Sequence, residues 1–315
     1  MGSVGFVVGL TGFEPTTPAR KSDPSRSVSI PPSEGFLIPI LLLAHMISRA
    51  NGYLIASKGK AEAVTLAQML SQRQNKPRIV PEIDNKRLRA AGIKSLLLIC
   101  VMLVLQMILF FISAGHMVGP RPWTFFGASF VHYTISTAVL YKLNPEILVE
   151  RLKRKREGSK LWDEILMRVS NLLVLIAIPV VTGLDIGRFQ WLEIGVQFVA
   201  LGFAFFITST VLITWAMAVN PHFEATVRIQ KNRGHKLISS GPYKIVRHPG
   251  YLAGILYTLS IPLIIGSAFA FIPVGIYALL FIIRTSLEDR TLHKELDGYS
   301  EYAKRVKHKL FPGIW

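Results

Sequence analysis

No stretch constrains the fold of this chain more than Ser95 to Ala114, which runs without a single charged side chain. Crossing a hydrocarbon core roughly 30 Å thick takes a helix of about 20 mostly apolar residues, and this segment supplies them. In lipid, backbone polar groups must be paired inside the protein, which leaves helices or closed barrels as spanning structures. Further apolar blocks follow at Trp123 to Tyr141, Val169 to Gly183 (its helix expected to begin within the preceding basic loop) and Trp191 to Met217, with Leu184 to Gln190 expected as a short turn. The last block, Leu252 to Ile283, is too long for one upright helix and is broken by Pro262, Gly266 and Pro273. It is expected to form a helical hairpin whose arms meet near Ile264 to Ser267. The expected fold is an all-α polytopic membrane helix bundle. It has about six crossings, including the C-terminal hairpin, with polar loops and a tail helix from Arg284 to about Lys304 on one side.

Charge sets the orientation. The chain has 36 Lys and Arg against 19 Asp and Glu, a formal net charge of +17, while only 17% of its residues are charged. Soluble domains carry about 25% charged residues, so the deficit points to lipid. The basic residues gather in Lys142 to Arg168, in Arg228 to Arg247 and after Arg284, whereas the intervening turns carry only Arg121 and Arg188. Six crossings place every basic segment on one side, which the positive-inside rule makes cytoplasmic. Nucleic acid as the partner of this charge is disfavoured, because no basic face interleaved with aromatics appears. The lone Cys100 lies in an apolar run as a packing residue, which excludes an intramolecular disulfide or cysteine-pair redox chemistry.

Three regions are expected. Residues 1–85 form a disordered or weakly structured extension with Met69 as an alternative start, given the prolines among Ser, Thr and basic residues near the beginning. Residues 86–219 hold the first four spans, and 220–315 the hairpin with its flanking polar segments. On the second span, His132 is expected to make an interhelical hydrogen bond, while Thr134, Ser136 and Thr137 bond to neighbouring helices or to their own backbone.

The chemistry is expected where the two polar segments around the hairpin meet. Ser239 to Tyr251, SSGPYKIVRHPGY, combines Gly241, Pro242, Pro249 and Gly250 with Tyr243, His248 and Tyr251. Arg284 and Glu288, spaced i,i+4, project from one face of the tail helix. A surface ion pair of that order contributes only about 0.2–0.5 kcal/mol, but polar groups at a lipid boundary are costly and tend to be functional. His222, His235, His248 and His293 are scattered singly, so no metal site is expected. A G-x-S-x-G elbow and a G-x-G-x-x-G fingerprint are both missing. Arg247 reads equally well as a lipid-phosphate anchor, and Tyr243 and Tyr251 also fit an interfacial aromatic belt. Gly254 reads as a helix-packing residue.

Two segments carry a resemblance: VRIQKNRGHKLISSGPYKIVRHPGYLAG (Val227 to Gly254) and RTSLEDRTLHKELDGYSEYAKRV (Arg284 to Val306). Their order is a His-led segment, G-x-Y, R-H-P-x-Y followed by Gly254, then R-x-x-x-E. It resembles the isoprenylcysteine carboxyl methyltransferase family of integral-membrane enzymes, related to phospholipid methyltransferases. The spacing after Tyr251 departs from the family pattern, since Leu252 and Ala253 precede Gly254. Asn144 to Leu166 resembles the prokaryotic branch, and the similarity runs from Ile93 to Trp315.

The resemblance implies S-adenosylmethionine as cofactor, no metal, and a lipid-like or prenylated acceptor. It implies cofactor contacts at Gln230, His235, Lys236 (through its backbone), Leu237, Ile238, Tyr243, His248, Pro249, Gly250, Tyr251 and Glu288. Arg284 would bind the acceptor and, with Glu288, serve the transfer. Pro249 and Gly250 would shape the loop for close approach to the nucleotide. Alternatives are an NADPH-dependent membrane reductase of sterol type sharing the R-H-P-x-Y end, a phospholipid N-methyltransferase, and a non-enzymatic membrane protein with a decayed donor site.

Overall fold

A computed structural model describes residues 85–152, 158–224, 226 and 236–315. The expectations for the N-terminal extension, and for Gln230 and His235, lie outside these residues. Eight helices are seen among the described residues, and no strand. They are α1 (Asn85–Ala114), α2 (Pro120–Leu143), α3 (Pro145–Arg151), α4 (Leu161–Phe189), α5 (Val196–Val219), α6 (Pro249–Ile265), α7 (Phe271–Glu295) and α8 (Tyr299–Arg305). Four of them, α1, α4, α5 and α7, are long and apolar enough to cross a membrane. The 17-residue α6 is apolar but shorter, and α2, at 24 residues, extends about 36 Å. Ile93, Leu97 and Ile112 on α1, Leu172 on α4 and Leu279 on α7 stand outward, exposed. An apolar face of that extent is a surface for lipid.

The six long helices form the expected all-helical bundle, with differences at their ends. α4 begins at Leu161, inside the basic loop as expected, but continues through the anticipated turn to Phe189. It does so by widening into π-helix at Leu173–Ala177 and again at Leu184–Phe189. Gln106 of α1 donates its side-chain amide to the Val174 carbonyl (3.0 Å) at the first of these. α5 starts at Val196 rather than Trp191, because residues before it run extended and Glu193 bridges Ser267. α7 crosses Arg284 without a break, so the second hairpin arm and the polar tail are one helix as far as Glu295.

Small residues set the closest helix approaches, as is usual where lipid removes the hydrophobic drive between helices. Gly183 and Gly187, one turn apart on α4, face the end of α1. A Cβ on Gly183 would come within 2.3 Å of the Phe110 carbonyl, and one on Gly187 within 2.4 Å of Ala114 Cα. Gly202 of α5 similarly meets Ile264 of α6, at 2.7 Å from a built Cβ. Across the helices Ser136 and Thr214 bond at 3.0 Å, whereas Thr134 bonds back to the Phe130 carbonyl at 2.9 Å. His132 lies edge-on to Phe206, with ring centroids 6.2 Å apart, and makes no hydrogen bond among the described residues, contrary to expectation. Its ring is accommodated by aromatic packing instead.

The hairpin turns where expected, with Gly266 at φ +106°, left-handed backbone that suits glycine. Arg121 donates to the carbonyls of Ile264 (2.8 Å) and Leu263 (3.0 Å), which the end of α6 leaves unpaired, and to that of Ile194 (2.8 Å) before α5. Buried Asp185 accepts from Ser267 Oγ (2.6 Å) and the Phe269 amide (3.1 Å). That end of the bundle is thereby closed. The opposite end carries the long polar connections, tied down where Asn144 donates to the Met217 carbonyl at 2.8 Å.

Candidate functional site

At that opposite end, three stretches distant in sequence surround one cavity of about 120 Å³. Asn220 to Glu224 and Lys236 to Ile238 supply one wall, Tyr243 and Arg247 to Tyr251 the second, and Glu288 to Tyr302 the third. Nine of the eleven residues expected to hold a cofactor are described, and all nine line it: Lys236, Leu237, Ile238, Tyr243, His248, Pro249, Gly250, Tyr251 and Glu288. Lys236 lies at the wall with its backbone amide directed to His222 Nε2 (3.4 Å).

The central motif folds differently from a loop. Pro249 occupies the first turn of α6 with His248 as N-cap, the position where a missing N–H is harmless. Gly250 is therefore helical, and its lack of a side chain serves contact with Phe223, whose ring would lie 2.6 Å from a Cβ there. Gly241 has φ +59° beside Trp215 and sets the direction in which Tyr243 leaves its short 3₁₀ turn. Gly254 packs against the Tyr277 hydroxyl, as a helix-packing residue should.

Arg247 is no lipid anchor. It is 8% exposed and grips Asp289 with two bonds, Nε to Oδ1 at 2.9 Å and Nη2 to Oδ2 at 3.1 Å. Its remaining donors reach the Val306 carbonyl (2.9 Å) and that of Lys307 (3.3 Å), which fastens the segment after α8. Asp289 also accepts from the Tyr299 hydroxyl (2.7 Å) and lies 3.5 Å from His248 Nε2 and from Lys309 Nζ. Sequence reasoning passed over Asp289, Tyr299, Tyr302 and Asn220. The adjacent acids in LED were the available signal for Asp289; nothing local marks the others.

Tyr243 is buried and Tyr251 half-buried, each against the cavity rather than in an interfacial belt. Asn220 donates to the Tyr243 hydroxyl (2.9 Å), and the Tyr302 hydroxyl donates to the Tyr243 carbonyl (2.7 Å). Burial raises the Tyr243, Tyr299 and Tyr302 phenols above the usual range, Asp289 adding to the effect at Tyr299. All three stay protonated around neutral pH, Tyr299 and Tyr302 as donors and Tyr243 as the acceptor from Asn220. Tyr251 donates to Glu288 Oε2, stacks on His248 at 5.5 Å, and lies under the Arg284 guanidinium at 4.7 Å.

Arg284 is placed differently from Glu288. It does not line the cavity; it is 3% exposed and binds the fully buried Asp163 of α4 through Nε at 2.6 Å and Nη2 at 3.3 Å. Asp163 carried no weight in the sequence, because its partner lies 121 residues away. The chain Asp163–Arg284–Tyr251–Glu288 links this ion pair to the cavity wall. No group of His, Cys, Asp and Glu able to hold a metal is found among the described residues.

Residues 200–294 match the family model of isoprenylcysteine carboxyl methyltransferase. No curated protein matches the chain. The solved structure of a eukaryotic intramembrane Ras methyltransferase, itself an isoprenylcysteine carboxyl methyltransferase, aligns at 15% identity and a TM-score of 0.38. It covers 90% of this chain and 96% of its own, a likeness too remote to bear on fold or site.

Proposed function

With residues 200–294 identified as a segment of the isoprenylcysteine carboxyl methyltransferase family, we propose that this protein is an integral-membrane methyltransferase. It would use S-adenosylmethionine to methylate the carboxylate of a lipid-like, prenylated acceptor, its site and C-terminus facing the cytoplasm. One observation carries the reading: Lys236 to Ile238, Tyr243, His248 to Tyr251 and Glu288 converge on a single cavity although they come from separate elements.

The walls fit such a cofactor. Glu288 offers a carboxylate to a cationic group, the parallel His248 and Tyr251 rings offer flat apolar surface, and Gly250 leaves the first turn of α6 uncluttered. S-adenosylmethionine supplies an electrophilic methyl group on its sulfonium. A carboxylate acceptor is ionised at neutral pH, so the site needs no general base. What the chain must supply is alignment within about 3–3.5 Å and exclusion of water. Tyr251 fixes the Glu288 carboxylate through its hydroxyl, and Asp289 and Tyr299 hold His248 from behind. Arg284, four residues before Glu288, carries a planar fork suited to a carboxylate.

Calorimetry on detergent-purified protein tests the donor. Binding of S-adenosylhomocysteine is expected, and binding of NADPH in its place would refute the reading. Tritiated methyl donor with N-acetyl-S-farnesylcysteine, scored for base-labile radioactivity, tests the carboxyl acceptor.

A further inference from the structure

We propose that Asp163 is a specificity-determining residue: an internal carboxylate that holds the Arg284 fork in the manner of an acceptor carboxylate and must yield it on binding. The inference rests on the methyltransferase reading above. Asp163 is fully buried in the first turn of α4, and both its oxygens engage Arg284, at 2.6 and 3.3 Å. That two-oxygen, fork-to-fork geometry is the one a planar guanidinium offers any carboxylate. The ion pair lies outside the cavity, yet the guanidinium covers Tyr251, whose hydroxyl bonds to Glu288 on the cavity wall. Arg284 is therefore one side chain away from the proposed donor site, and Asp163 holds it there.

The charges make the arrangement selective. Among the described residues around Tyr251, Asp163 and Glu288 contribute carboxylates and Arg284 a guanidinium, with the His248 ring beside them. A cationic donor suits that balance, while an anionic acceptor must compete with Asp163 for the guanidinium. An acceptor without a carboxylate has no such competition to meet.

The test compares wild type and Asp163→Asn in lipid nanodiscs. It reads KM and kcat for N-acetyl-S-farnesylcysteine, and Ki for its uncharged carboxamide as a competitor. Asparagine keeps one acceptor for Arg284 Nε but loses the charge and the second acceptor. KM for the carboxylate is expected to fall severalfold, with the carboxamide Ki unchanged. An unchanged or raised KM, or parallel shifts of KM and Ki, would overturn the proposal. Arg284→Lys supplies an independent arm, because an ammonium retains the charge without the fork. It should raise KM for the carboxylate and leave the carboxamide Ki alone; equal effects on both would again overturn it. Failure of the wild-type protein to bind S-adenosylhomocysteine would remove the underlying reading at an earlier, separate step.

Discussion

Replacing Asp289 by leucine, and then Arg247 by methionine in the same chain, probes what holds the cavity wall together. Both side chains are almost fully buried, at 7% and 6% exposure, and joined by two hydrogen bonds. Removing one partner of a buried pair leaves an uncompensated charge and typically destabilises by about 3–5 kcal/mol. Asp289→Leu also strands the Tyr299 hydroxyl, whose donor loses its acceptor at about 1–3 kcal/mol. The single variant is therefore expected to lose about 4–8 kcal/mol, the sum of those two ranges. Arg247→Met releases the Val306 and Lys307 carbonyls but, once Asp289 is gone, relieves the stranded guanidinium. The double variant should then be more stable than Asp289→Leu alone, with a coupling of about 0.5–3 kcal/mol. The assay is unfolding in mixed micelles of denaturing detergent, followed by circular dichroism. Strict additivity of the two single losses would refute the claim that this pair acts as one buried unit.

Three further outcomes are expected. Glu288→Gln should weaken S-adenosylhomocysteine binding in calorimetry while Arg284→Lys leaves it near wild type; equal losses would show that the two residues do not divide donor and acceptor roles. Gly202→Leu should destabilise by about 1–3 kcal/mol through overpacking against Ile264, whereas Gly275→Leu, with nothing near its Cβ, should be close to neutral in the same micelle assay. Tyr243, Tyr299 and Tyr302 have raised folded-state values, so the folded protein keeps protons that the unfolded chain releases above the ordinary phenol value of 10.0. Their contribution to stability is complete below that value and lost as pH rises beyond it, visible as alkaline unfolding that the triple Tyr→Phe variant should shift upward.

The all-helical membrane class and the hairpin could be read in the linear chain because both depend on local composition. A charge-free run such as Ser95 to Ala114 has one way to satisfy its backbone in lipid, and Gly266 between apolar arms is a turn wherever it is placed. Helix ends were less legible. α4 runs on to Phe189 through two π-helical stretches because Gly183 and Gly187 pack on α1 and Asp185 ties to the hairpin turn, contacts that composition does not encode. Likewise, Pro249-Gly250 reads as loop chemistry, but proline is equally at home in a helix's first turn, where the structure places it, with Phe223 close against Gly250.

The cavity's cast divides along the same line. Tyr243, His248, Tyr251 and Glu288 were visible as residue types in short motifs, and each faces the cavity. Their partners were not. Asp163 meets Arg284 across 121 residues, Asn220 meets Tyr243 across 23, and Tyr302 meets the Tyr243 carbonyl across 59. A buried charge must find an opposite charge and a buried hydroxyl a bonding partner, which the sequence states as a requirement without saying who answers it. The apolar helices and the motif residues follow from local chemistry along the chain. Which carboxylate neutralises which arginine, and hence that Arg284 is held beside the cavity rather than in it, follows from how the helices pack.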